Sequence, residues 1–158
     1  MYIKKILNHN NSGDKMEENI NALDEINKGA CMGMDAIKFI IEKVMGDEFK
    51  KSLEVQYNKY SDISNRINEL YAKYDKEGTP HETTRMTKVM TMYGIEMRTS
   101  VDHSDSKIAE LLLKGTNMGI IEGRKILNHK KVDKEVEKIM EEFISMQEDS
   151  VENLKKYL

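Results

Sequence analysis

Four polar residues of this 158-residue chain carry the question of chemistry: Gln56, Gln147, Glu122 and Asn27. Gln56 and Gln147 fall on the inward faces of two helical stretches. Carboxylates at such places would hold a metal pair or move protons. Amides are neutral and bind hard cations weakly beside a carboxylate. Glu122 is the one acid read as facing inward, because it follows Gly115 by seven positions and Gly119 by three, on one helical face. Asn27 falls on the core stripe of the first helix, where a polar residue sets register at some cost in stability. These four are expected to form a small polar cluster in a helical core. Its members are expected to be satisfied by hydrogen bonds rather than to catalyse.

The remaining reactive types point to no reaction. Twelve methionines and a single cysteine are present. Cys31, Met32 and Met34, with Met86, Met90, Met92 and Met97, offer soft ligands for Cu(I). One thiol is a thin supply, and methionine at helical spacing is core filler or an adaptable contact surface. Cys31 has no nearby partner that would activate it, so a buried, inert thiol is expected. Tyr57, Tyr60, Tyr71 and Tyr74 step along one helix and are expected to pack with their hydroxyls at the rim. No catalytic residue is assigned.

The chain repeats itself. Lys28-Gly29-Ala30-Cys31-Met32-Gly33 recurs 86 residues later as Lys114-Gly115-Thr116-Asn117-Met118-Gly119. Both copies lie in helical patterns, where each glycine costs about 1 kcal/mol against alanine. Gly29 and Gly33 are four apart, as are Gly115 and Gly119, so each pair shares a face. The expected role is a close contact between the first and third helices. The alternative is that the glycines clear room for a ligand. A second repeat, Lys5-Ile-Leu-Asn-His9 and Lys125-Ile-Leu-Asn-His129, has no assigned role.

The elements that must position these residues follow from periodicity. Residues 8–14 read as a polar, turn-rich linker, which separates an N-terminal segment (1–15) from the main domain (16–158). Ile20, Leu23, Ala30, Met34, Ile37, Ile41 and Val44 mark the buried face of a first helix. Gly46 ends it, and Asp47 is placed to cap the next. Phe49, Leu53, Tyr60, Ile63, Ile67, Leu70 and Tyr74 mark the second helix, which stops at Gly78-Thr79-Pro80. Ile108, Leu111, Leu112, Met118 and Ile126 mark a third over 106–128. Val136, Met140, Phe143, Val151, Leu154 and Leu158 mark a fourth. The short joints make two antiparallel hairpins. Residues 79–106 form a long crossover, in which Met86, Val89, Met90, Tyr93 and Met97 predict a short amphipathic helix.

Composition excludes some classes. Charged residues make up 34% and the net charge is −3, and the lysines are interspersed with acids, so nucleic acid is not an expected partner. No apolar run reaches transmembrane length and no signal-peptide pattern is present. With one cysteine, a cytoplasmic protein is expected. The length suits one all-α domain with its own core.

The hairpin–crossover–hairpin layout and the Lys-Gly-x-x-Met-Gly duplication resemble the ferritin-like superfamily, in particular its small bacterial four-helix members of unknown function. The resemblance covers residues 16–158. It implies a ferritin-like four-helix bundle, and a di-iron or di-manganese centre with Glu-x-x-His on two helices. This chain has no Glu-x-x-His. His9, His81, His103 and His129 lie in linkers or at helix ends, and Lys59 and Ser150 stand three residues after Gln56 and Gln147. The expected function is therefore non-catalytic: a binding or structural homodimer without cofactor, joined through the Met-rich crossover. The alternative is an atypical metal-dependent oxidoreductase or metal-storage protein that uses Glu122 with Glu25, Glu54 or Glu148.

Overall fold

The computed structural model describes residues 2–78, 80 and 102–158, of which 2–12 as backbone alone. Among these residues the chain forms four α-helices and no strand: α1 Tyr2–Ile40, α2 Asp47–Tyr71, α3 Asp105–His129 and α4 Lys134–Leu154. Short 3-10 turns extend α1 (Ile41–Lys43) and α4 (Lys155–Tyr157). The expected crossover helix on Met86 to Met97 and its methionine surface lie outside the described residues. No helix described is long and apolar enough to cross a membrane.

The helix α1 is longer than its sequence pattern. It runs through residues 8–14, which the sequence reads as a linker. Asn, Ser and Gly lower helix propensity by up to about 1 kcal/mol each but break no hydrogen bond as proline does. Extending an existing helix also avoids a second costly nucleation. Gly46, rather than Asp47, occupies the N-cap of α2, and Asp47 is its first helical residue. The charge of Asp47 still favours the positive end of the helix dipole.

Contacts between helix ends fix the directions. The Met45 and Gly46 amides both donate to the Asp105 carboxylate at 2.8 Å, so the α1–α2 joint sits on the start of α3. At the other end the Asp133 amide donates to Asn19 Oδ1 at 2.7 Å, and the Tyr74 hydroxyl donates to Asp133 at 3.0 Å. The middle of α1 around Asn19, the end of α2 and the α3–α4 joint therefore share that end. The end of α2 and the start of α3 thus lie at opposite ends of the bundle. The pair α1 and α2 is antiparallel, as is the pair α3 and α4, and α1 also packs against both α3 and α4.

The core follows the apolar stripes. Leu23, Ile40, Phe49, Ile67, Ile108 and Met140 are almost wholly buried. Phe49 stacks on Tyr157 with ring centroids 4.2 Å apart. Two expected core residues are exposed: Met118 at 56% and Leu158 at 61%. Met118 stands seven positions after the buried Leu111, yet the buried residue on that turn of α3 is Thr116.

Candidate functional site

Between the four helices, toward the end that holds the α1–α2 joint, lies a cavity of about 760 Å³. Both copies of the glycine repeat form its walls, Gly29 and Gly33 from α1 and Gly115 and Gly119 from α3. Gly29, Gly33 and Gly119 lack a Cβ where side chains of the neighbouring helices pack close. Leu53, Ile37, Leu112 and Phe143 supply apolar wall. Glu25, Lys28, Lys59 and Glu122 also line it, near solvent.

The glycines oppose the flanking helices rather than each other. A Cβ built on Gly33 would lie 2.5 Å from the Tyr60 ring of α2. One on Gly29 would lie 3.0 Å from Phe143 of α4, and one on Gly119 would lie 2.3 Å from the Gln147 amide of α4. The nearest side chains to Gly29, Gly33 and Gly119 thus come from α2 and α4, while α1 and α3 also pack against each other. Large residues occupy the space that the missing Cβ atoms leave.

The polar wall of the cavity centres on Tyr60. This residue is 4% exposed, and its hydroxyl donates to Gln147 Oε1 at 2.8 Å. Burial pushes its pKa up to about 12, against a smaller downward pull from Gln56 and Thr116 nearby. It is therefore a neutral hydrogen-bond donor at any physiological pH. The Thr116 hydroxyl returns to the Leu112 carbonyl at 2.8 Å, one turn back along α3. Gln56 is 8% exposed, and its Nε2 is buried without a hydrogen-bond partner.

The four residues singled out from sequence separate into three groups. Gln56 and Gln147 both reach the cavity wall and are buried. Glu122 does not face inward: its side chain is 63% exposed and pairs with Lys125 at 2.8 Å on the cavity rim. The helix turns 100° per residue, so three steps from Gly119 swing Glu122 far enough to reach water. Asn27 is fully buried but lies in a separate cluster, where the Ser64 hydroxyl donates to its Oδ1 at 2.7 Å and Cys31 Sγ lies 3.9 Å away. Its Nδ2 has no partner.

Sequence reasoning missed Tyr60 as a site residue and expected its hydroxyl at the rim. The signal was present, since Gln56 and Tyr60 are one helical turn apart on a stripe otherwise apolar. Thr116 was hidden because it stands where the first repeat has Ala30 and carries no motif of its own.

The donor set does not fit a di-metal centre. The buried polar groups at the cavity are amides, a phenol and hydroxyls, and hard cations need carboxylates. Glu25 pairs with Lys28, Glu148 with Arg124 and Glu122 with Lys125, all near solvent. Among the described residues no three of His, Cys, Asp and Glu come together in a way that could hold a metal ion. The alternative acid set of Glu122 with Glu25, Glu54 or Glu148 is accordingly not assembled.

No protein-family model and no curated protein matches this chain.

Proposed function

We propose that the protein is a ferritin-like bundle that acts by binding, with the glycine-walled cavity as its ligand site and no resident metal pair. The observation that carries this reading is the cavity itself. It is a partly open space of about 760 Å³ walled by side chains from all four helices. Its volume falls in the range of small-molecule sites, ~300–1,000 Å³. The helix directions and the long connection from one end of the bundle to the other support the ferritin-like reading of the fold.

Two tests address this proposal. Native mass spectrometry of the protein purified from its own host should show a non-covalent mass lost on mild activation. Titration with the neutral dye N-phenyl-1-naphthylamine should give saturable fluorescence near one equivalent per chain. Two tightly held iron or manganese ions per chain would sink the reading. Pairing of two copies through the Met-rich crossover belongs to the same proposal. Light scattering behind size exclusion that gives a monomer at micromolar concentration would remove that part.

A further inference from the structure

We infer that the cavity takes an uncharged, mainly apolar molecule carrying a hydrogen-bond acceptor such as a ketone or amide carbonyl, which Gln56 Nε2 meets. This rests on the cavity being a ligand site, and it names the class of ligand.

Charge decides the first part. The buried polar groups in the wall are Gln56, Gln147, Tyr60, Thr116 and Ser150, all neutral. The charged lining residues stand near solvent, two acids and two lysines, and Lys28 is already engaged with Glu25. An ion drawn into the interior would lose its hydration with no opposite charge to meet it. A carboxylate or ammonium is thus excluded from the deep part of the site.

The orphaned nitrogen decides the second part. Tyr60 donates its only proton to Gln147 Oε1, and Thr116 donates its own to Leu112. Both hydroxyls are spent. Gln56 Nε2 alone among the buried side-chain atoms of this wall lacks a partner. A buried amide donor without an acceptor is costly, so it is a standing demand for one. Gln56 lines the cavity, and its last torsion is soft, so the amide can turn an N–H toward a ligand bound there. A pure hydrocarbon would leave that demand unmet.

The experiment uses three probes of similar shape: benzophenone, diphenylmethane and diphenylacetate. They differ in a carbonyl, a methylene and a carboxylate. Calorimetric or fluorescence-competition titration of the full-length protein should place benzophenone about tenfold tighter than diphenylmethane, with diphenylacetate weakest. The bound ketone should show a carbonyl stretch moved to lower frequency than in hydrocarbon solvent. Gln56→Met keeps the length and removes the amide, so it should erase the preference and the shift while diphenylmethane still binds. The infrared shift in the unmodified protein decides the matter where the variant fails to fold. Equal binding of ketone and hydrocarbon, or diphenylacetate binding tightest, overturns the ligand class while leaving the cavity reading intact. Failure of all three probes to bind overturns both.

Discussion

The Tyr60 hydroxyl donates to Gln147 Oε1 at 2.8 Å, and the Tyr60 ring fills the space left by the missing side chain of Gly33. One residue thus closes the bundle between α2 and α4 and lines the cavity at the same time. The bond is buried, so its loss is felt twice, in the missing interaction and in the stranded amide.

Tyr60→Phe should destabilise the protein by about 1–3 kcal/mol, because Gln147 keeps a buried oxygen with no donor. Gln147→Leu should cost a similar amount by stranding the hydroxyl. The double variant should lose less than the sum, since neither partner is then left alone. Urea unfolding of the four proteins checks this, and strict additivity would show that the bond is not made.

Two glycines of the repeat should respond differently to a methyl group. At Gly33 the obstacle is the Tyr60 ring, 2.5 Å from the new Cβ, and a ring held by a hydrogen bond at its tip cannot swing away freely. Gly33→Ala should cost about 1–3 kcal/mol by overpacking. At Gly119 the obstacle is the far end of the Gln147 side chain, which moves easily. The helix-propensity gain of about 1 kcal/mol nearly offsets the disturbed hydrogen bond there. Denaturation midpoints should rank Gly33→Ala well below Gly119→Ala.

Gly13 tests the length of α1. A Cβ there meets nothing within 4 Å. In a continuous helix Gly13→Ala should stabilise by up to about 1 kcal/mol and raise the helical circular dichroism. If residues 8–14 are a linker, the substitution leaves both unchanged.

The end of the bundle that holds Asp133 predicts a pH dependence with two limbs. Lys15, Tyr74 and Asn19 hold the Asp133 carboxylate below the usual range, the lysine most strongly. A folded pKa below the unfolded one gives stability that is complete above about 3.9. That stability is lost as the pH falls through the folded value. Burial first, and then Asp133, pushes the Tyr74 phenol up to about 12. Here the folded pKa is the higher one, so the contribution is complete below about 10 and is lost as pH rises toward 12. Thermal melts should show both limbs. Asp133→Asn should reduce the acid limb, and Tyr74→Phe should reduce the alkaline one; Tyr60, Tyr71 and Lys38, whose pKa values are also raised, share the remaining alkaline loss.

The stripes Phe49, Leu53, Ile63 and Ile67 on α2, and Val136, Met140 and Phe143 on α4, follow from periodicity alone and are all buried. That part of the fold is local: apolar residues every three or four positions have only one way to hide. The Gly46 joint was legible in the same way, but α2 stops at Tyr71, seven residues before the glycine of Gly78-Thr79-Pro80. Residues 8–14 were not legible, because weak helix formers decide a helix only when no neighbouring helix extends into them.

The candidate site was half legible. Gln56, Gln147 and the repeated glycines stood out in the sequence as types that do not belong on an apolar face. What faces them was not written there. Gly33 meets Tyr60, Gly119 meets Gln147, and Glu122 turns to solvent to pair with Lys125. Each outcome depends on how far one helix is rotated and shifted against another. A rotation of a few tens of degrees exchanges a cavity wall for the surface, and periodicity does not resolve angles that small. The sequence by itself determined the helices, their buried stripes and the place of the small residues. The tertiary structure alone decided that those small residues enclose a space and that a single amide nitrogen in its wall is left without a partner.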